Sequence, residues 1–385
     1  MTRYSAVRTT GIYCRPGCGA RPLPGNVRTF ELAAAAEAAG YRACLRCRPY
    51  RVAGGVADAP ELVCRAVQLI IGGLLDEAGE AALGARLGVS ARHLRRMFNE
   101  HLGVTPDRFA RSRRAHFARR LLDDSDLAIA DVAFASGYGS LRQFNREMKE
   151  VFKAAPRELR ARRRRDDRLT ADGGLPLRLP FTDSYDWAAV LGFLAARAIP
   201  GVESAEDRTY RRIIALDGEP GMLEIGPGGP DHLLLHAHLP YWEGVIHIVE
   251  RASRLVAVDA DPAAGPRVPG AWNPLEIAAG AVLSRDGLGR LTRSHGTPVP
   301  GLGHGLTHLF PAADVLAKAD DAPETVRSLA RAVCAGDVVL DGAEAPAELL
   351  ASLAPIPGLT REAALQIARR LSPPGTLPPL GAEGR

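Results

Sequence analysis

Four cysteines near the start of the chain constrain its fold more than any other feature. Cys14 and Cys18 form a C-x3-C pair, and Cys44 and Cys47 form a C-x2-C pair further on. These are zinc-ligand spacings, and four thiolates satisfy a tetrahedral Zn2+. Spacing alone assigns such a set a structural role. The opening residues Met1-Thr2-Arg3-Tyr4-Ser5 carry no signal-peptide apolar stretch, so the expected compartment is the cytoplasm. In that reducing setting clustered cysteines are metal ligands rather than disulfides. Cys64 and Cys334 lie in apolar helical patterns and are expected to be inert core residues.

A length of 385 residues implies about two to four domains. No uninterrupted apolar run approaches the roughly 20 residues that span a bilayer, so no membrane partner is expected. The net charge of +5 hides a division. Residues 1–168 hold 31 Lys+Arg against 18 Asp+Glu, and the remainder 18 against 26. A basic half with clustered arginines is the electrostatic footprint of nucleic-acid binding.

The pattern predicts a multidomain α+β chain. Residues 1–52 form a small four-cysteine zinc domain, and residues 60–160 an all-α domain broken at Gly and Pro. The basic run Arg160–Arg168 reads as a linker. Residues 175–262 are α+β, with a helix after Asp186 and strands at Met222–Ile225 and His232–His238. Residues 268–371 are helical, and the Pro- and Gly-rich tail 372–385 is expected to be disordered.

The segment Val7-Arg8-Thr9-Thr10-Gly11-Ile12-Tyr13-Cys14-Arg15-Pro16, with Gly40-Tyr41-Arg42 before Cys44, resembles the N-terminal domain of the Ada family of methylation-repair regulators. The resemblance implies one Zn2+, structural and catalytic, held by Cys14, Cys18, Cys44 and Cys47. It also implies that Cys14 takes a methyl group from a DNA methylphosphotriester. Arg8, Arg15, Arg46 and Arg48 are candidate phosphate contacts. The family carries a further helix and strand ahead of this motif, whereas only six residues precede Val7: either the start codon is assigned too far downstream or the domain is shortened, and a missing edge would weaken folding of the zinc module.

Leu83–Ser90 followed by Ala91–His101 reads as helix, Gly-containing turn, Ser N-cap, helix. Leu94, Met97 and Phe98 face inward, which leaves Arg92, His93, Arg95 and Arg96 outward. The arrangement recurs: Ile129, Val132 and Ala133 precede a turn at Gly137, Ser140 caps, and Leu141, Phe144 and Met148 face inward. Arg142, Gln143, Asn145 and Arg146 are then outward. Through Asp131-Val132-Ala133-Phe134-Ala135-Ser136-Gly137-Tyr138 and Ala155-Pro156-Arg157-Glu158-Leu159-Arg160 the region resembles the AraC family of transcription regulators. Two such units put recognition helices in successive major grooves, where Arg reads guanine and Asn adenine. His116–Arg120, on the helix between the units, is expected to face phosphate or serve structure.

Leu177–Pro180, Tyr185-Asp186-Trp187, Leu191–Glu203 and Arg267–Trp272 resemble AlkA-type 3-methyladenine DNA glycosylases. That family grips the DNA backbone with a helix-hairpin-helix and uses an aspartate to stabilise an oxocarbenium ion. Three departures follow. Ala281–Gly287 lacks the L-G-Q-x-V-S pattern. The hairpin Leu353–Thr360 has Thr360 in place of a second glycine, where a β-branched residue would resist positive φ. The aspartate belongs near Gly381, yet no Asp follows Asp341. Glu383 lies in the tail, and Asp286, Asp314, Asp320 and Asp321 are poor substitutes. Without a positioned carboxylate the electrostatic stabilisation is lost, so residues 268–371 are read as an incomplete, truncated glycosylase region of doubtful activity, with no glycosylase aspartate found.

The expected function is an alkylation-damage response. Cys14 accepts the methyl irreversibly in a single turnover, and the helix-turn-helix units then activate repair genes on double-stranded DNA, with RNA polymerase as a partner near the bacterial nucleoid. A DNA-3-methyladenine glycosylase is the first alternative, and a zinc-stabilised transcription regulator without methyl transfer the second. No P-C-H-R-V segment is present, so repair of O6-methylguanine is not expected.

Overall fold

A computed structural model of the chain describes residues 3–51, 59–164, 167–169, 173–181, 185–258, 269–270, 272–342 and 344–371. The tail 372–385 with Glu383, the Gly381 position, and Arg267, Val268 and Ala271 of the glycosylase-like motif lie outside the described residues. The chain divides into two compact units. One comprises Met1–Asp183 with Tyr241–Glu250, the other Ser184–Pro240 with Arg251–Arg385.

The first unit opens on a small sheet of β1 (Tyr4–Val7), β2 (Ile12–Cys14), β3 (Val27–Phe30) and β4 (Arg42–Ala43), with α1 (Ala33–Ala38) between the last two. The spatial order is β3-β1-β2-β4. β1 pairs antiparallel with both neighbours, because Tyr4 and Ala6 alternate inward. The residues ahead of Val7 themselves supply an interior strand of this sheet. β2 and β4 run parallel, with Tyr13 opposite Ala43.

Helices follow: α2 (Glu61–Ile71), α3 (Leu74–Glu77), α4 (Glu80–Arg86), α5 (Ala91–Leu102), α6 (Pro106–Asp124), α7 (Ile129–Ala135), α8 (Leu141–Phe152) and α9 (Pro156–Ala161). Strand β5 (Leu175–Pro180) comes after them. Each turn of the two helical pairs ends on a serine cap. Ser90 Oγ accepts from His93 N–H, and Ser140 Oγ from Gln143 N–H, both at 3.2 Å. The α4–α5 turn is tight enough that a Cβ on Gly84 would meet the Val89 carbonyl at 2.6 Å, so only glycine fits there. Described residues of the basic run expected to be a linker have partners. Arg163 and Arg168 pair with Asp126, and Arg178 donates to the Asp167 carbonyl. Acidic residues just past α6 give these arginines partners, which a charge count along the chain does not reveal.

The second unit contains α10 (Trp187–Arg197), capped by Asp186 through Ala189 N–H at 3.0 Å. The strands β6 (Glu203–Glu206), β7 (Thr209–Leu216), β8 (Glu219–Pro227) and β9 (His232–His238) pair in succession, each antiparallel to the next. Leu223 and Ile225 of β8, with Leu233, Leu235 and Ala237 of β9, alternate into the core. Helix α11 (Val245–Leu255) carries the chain out of the first unit, so its last residues belong to the second. α12 (Pro274–Val282), α13 (Arg285–His295), α14 (Ala313–Leu316), α15 (Glu324–Ala335), α16 (Pro346–Leu353) and α17 (Arg361–Leu371) then pack as a helical layer. Its core holds Leu275, Leu329, Leu353 and Ile367. Cys334 is exposed and Cys64 half-buried, which corrects the expectation that both are core residues. For Cys334 the reason is its place on the solvent side of α15.

Candidate metal centre and DNA-binding surface

The parallel pairing of β2 with β4 builds the cysteine cluster. Tyr13 and Ala43 are in register, so Cys14, which ends β2, and Cys44, which follows β4, fall at the same sheet end. The bond from Cys44 N–H to the Tyr13 carbonyl, 2.9 Å, fixes that alignment. Cys18 sits in the turn after Pro16-Gly17, and Cys47 in the turn that closes when Arg48 N–H reaches the Cys44 carbonyl at 3.0 Å. The four Sγ atoms lie within 4.8 Å of one another. Zn–S bonds of about 2.3 Å in a tetrahedron separate the sulfurs by roughly 3.8 Å, so the cluster fits one ion.

The thiols' own protonation argues the same way. Burial pushes the Cys14 thiol well up, with Cys18 and the Cys44 thiolate adding to it. Cys47 is pushed up to about 11, chiefly by burial. Burial also raises Cys44, but backbone N–H groups of Cys47 and Arg46 outweigh it and hold that thiol below its ordinary value. The fold itself thus eases deprotonation of Cys44 relative to Cys14 and Cys47. A bound cation supplies what the others need to deprotonate.

Of the arginines beside the cluster, Arg8, Arg15 and Arg46 are exposed. Arg48 is not, which corrects its assignment as a phosphate contact. It adopts φ 47°, and its buried guanidinium lies 2.5 Å from Asp167 and 3.8 Å from Asp123. Burial drives it to carboxylates, because an unpaired buried cation is costly. Sequence reasoning also missed Glu37, a buried carboxylate on α1. Its oxygens accept from Tyr13 Oη at 2.7 Å and Ser112 Oγ at 2.6 Å, and lie 2.6 Å from His116 Nε2. The only signal was a lone charge within an alanine run. The His116–Arg120 segment is therefore structural: His116 meets Glu37, Arg119 pairs with Asp123, and Arg120 with the Arg178 carbonyl.

On α5, Arg92, Arg95 and Arg96 are exposed and His93 half-buried, while Leu94 and Phe98 are fully buried. Arg95 pairs with Glu80, and Arg96 approaches His93 Nδ1 at 3.1 Å. On α8, Arg142, Asn145 and Arg146 are exposed and Gln143 half-buried. Asn145 donates back to the Leu141 carbonyl at 2.8 Å, and Gln143 to Glu147 at 3.2 Å. Phe144 and Met148 are buried as expected, but Leu141 is 41% exposed. It is the first residue of its helix, ahead of the turn that packs.

In the second unit, α16 and α17 form the expected hairpin. Gly358 has φ +76°, and a Cβ there would meet Thr325 Oγ1 at 2.3 Å. Thr360 does not have positive φ. It caps α17, its Oγ1 accepting from Ala363 N–H at 3.1 Å, so the anticipated backbone strain is absent there. A cavity of about 160 Å³ is lined by Arg212, Trp272, Glu276 and Arg370, among others. Two carboxylates reach it, Glu203 and Glu276, and Arg212 binds both. Asp286, Asp314, Asp320 and Asp321 are exposed.

Family models match three segments: a metal binding domain of Ada over residues 3–50, a helix-turn-helix domain over 83–162, and an AlkA N-terminal domain over 176–268. The "Probable bifunctional transcriptional activator/DNA repair enzyme AlkA" of Mycobacterium tuberculosis is 36% identical over 347 residues, which cover 82% of this chain and 70% of that protein. The chain belongs to this AlkA family of bifunctional transcriptional activator/DNA repair enzymes. The "Bifunctional transcriptional activator/DNA repair enzyme Ada" of Escherichia coli is 30% identical over 158 residues, 40% of this chain and 43% of that one. A solved methylated N-Ada/DNA complex is 36% identical over 29% of this chain and 84% of its own, with a TM-score of 0.12. This chain combines an Ada-type metal-binding domain with a helix-turn-helix domain. Here the four-cysteine cluster is the site for one Zn2+, and DNA is the partner. No helix among the described residues is long and apolar enough to cross a membrane.

Proposed function

We propose that Cys14 accepts a methyl group from a DNA methylphosphotriester, once per molecule, and that this turns the helix-turn-helix units into an activator of repair genes. The reading rests on the cluster geometry, with four sulfurs within 4.8 Å and Cys14 at the end of β2. Cys14, Cys18, Cys44 and Cys47 would hold the ion. When bound, the ion keeps the thiols deprotonated at neutral pH, so no general base is needed. Cys14 Sγ forms the S–CH3 bond as the O–CH3 bond breaks, and the electron pair leaves on the phosphate oxygen, restoring an ordinary diester. A methylphosphotriester is neutral, so it can approach an anionic sulfur cluster that repels other phosphates. The thioether has no route back, which makes the protein its own single-turnover substrate.

Losing a negative charge on a DNA-facing surface strengthens DNA binding. Arg8, Arg15 and Arg46 would track phosphates near the cluster. Arg92, His93, Arg95, Arg96, Arg142, Gln143, Asn145 and Arg146 would meet the duplex from α5 and α8. The working division is 1–52 for methyl acceptance, 60–160 for DNA binding, 175–262 and 268–371 for the glycosylase-like part, and 372–385 as a tail. Promoter action implies RNA polymerase as a further partner and the cytoplasm as the site of work.

DNA methylated with a radiolabelled nitrosourea tests the proposal. Label should move onto the protein at one methyl per chain and be lost in Cys14→Ala. Release of free 3-methyladenine would instead support glycosylase action. Promoter binding with neither outcome would leave a zinc-stabilised regulator.

A further inference from the structure

The residue before the first zinc-site cysteine and the residue after the last are both anchored to the same helix. Tyr13 precedes Cys14 and is fully buried; its hydroxyl shares Glu37 with Ser112 and His116 of α6. Arg48 follows Cys47 and enters the carboxylate of Asp123 at the far end of α6, as well as Asp167. Asp123 also binds Arg119 and accepts from the Tyr50 hydroxyl at 3.1 Å. Tyr50 in turn packs against Phe152 of α8 and His116 of α6. Helix α6 leads from α5 to α7 and packs against α5, α7 and α8, so it carries both candidate recognition helices.

We propose that Tyr13–Glu37–His116 and Arg48–Asp123 are two links through which the state of Cys14 is passed mechanically to α6, making Glu37 and Arg48 positioning residues of the switch. This rests on the methyl-acceptor reading of Cys14 and adds to it a route besides loss of charge. A thioether is a neutral and weaker ligand than a thiolate, so methylation relaxes the end of β2. Tyr13 is the next residue on that strand and sits in close-packed surroundings that transmit displacement rather than absorb it. Its hydroxyl shares an acceptor with two groups of α6, and hydrogen bonds weaken steeply as their geometry degrades. Coupling between two sites requires an element that both bias, and α6 contacts the cysteine domain and both candidate recognition helices, while α8 also packs on β4 directly.

Amide hydrogen exchange of the zinc-loaded full chain tests this, before and after methyl transfer from a methylphosphotriester duplex that is then removed in high salt. Exchange at Ser112–Arg119 should change by about tenfold in the wild type. The change should vanish in a Glu37→Gln, Arg48→Lys variant whose Cys14 peptide still gains the mass of one methyl. An unchanged α6 in methylated wild type, or a full response in the variant, overturns the coupling. Absence of the mass gain in wild type is failure of the methyl-acceptor reading instead. In that event Cys14→Ser, which weakens the same ligand without a donor, must still shift α6 exchange, and wild-type exchange there overturns the links. If the double variant does not retain zinc, Tyr13→Phe must lower the α6 response, and a full response has the same meaning.

Discussion

Arg212 holds both oxygens of Glu276, at 2.8 and 2.9 Å, with its own side chain 1% exposed. Glu203 accepts from the other terminal nitrogen of Arg212 at 2.9 Å and from the Tyr210 hydroxyl. The arrangement ties β6 and β7 to α12 inside the second unit. Removing the shared arginine leaves two buried carboxylates uncompensated, so Arg212→Met should cost about 3 to 5 kcal/mol. Denaturant unfolding followed by a probe in the second unit measures it. A loss under about 1 kcal/mol would mean that the pair is solvated.

The acid limb of stability in the first unit should depend on Asp76. Burial raises its pKa, but His247 at 2.8 Å and Arg114 outweigh it and hold the carboxyl below its ordinary value of 3.8. The folded pKa is the lower one, so the contribution is fully present above the ordinary carboxylate range. It is lost as pH falls through the folded value. Asp76→Asn should lower stability at neutral pH by about 1 to 2 kcal/mol, given partial exposure, and flatten the acid limb. Urea midpoints from neutral pH down to pH about 3 compare the two proteins.

Ser90→Ala and Ser140→Ala each remove a cap from a helix that carries candidate base contacts. Each should cost about 1 kcal/mol, and the two should add because the caps share no partner. Urea unfolding of both single variants and the double variant checks the sum.

Thr360 offers a sharper contrast. Since its Oγ1 caps α17, Thr360→Ala should destabilise the hairpin by about 1 kcal/mol, and Thr360→Gly by only a few tenths. If glycine were needed there for positive φ, Thr360→Gly would stabilise instead. Thermal unfolding of the two variants separates these outcomes.

Chelation should release one Zn2+ per chain and abolish protection of β2 and β4, because four ligands from two distant segments hold that sheet end together. Amide exchange with and without chelator reads this. Protection of β7 and β8 in the second unit should not change.

Features written within a few residues of one another were legible. The cysteine pairs, the serine caps at Ser90 and Ser140, the inward Leu94, Phe98, Phe144 and Met148, and the strand at His232–His238 all follow from spacing or period. Local pattern misled at helix starts and where the partner was remote. Leu141 reads as part of an apolar stripe but lies ahead of the turn that packs. Thr360 reads as a defect until its bond to Ala363 is seen. Arg48 reads as one more surface arginine, although its partners are Asp123 and Asp167.

The sequence by itself determined the metal, its four cysteines and the doubled helix-turn-helix, because ligand spacing and capping are short-range chemistry. Only the tertiary structure decided that Glu37 and Arg48 face α6. Those bonds join positions 75 to 79 apart, and neither partner carries a local signal of the other. Burial makes such pairs obligatory, since a desolvated charge must find a partner, but it does not say which partner until the chain has folded.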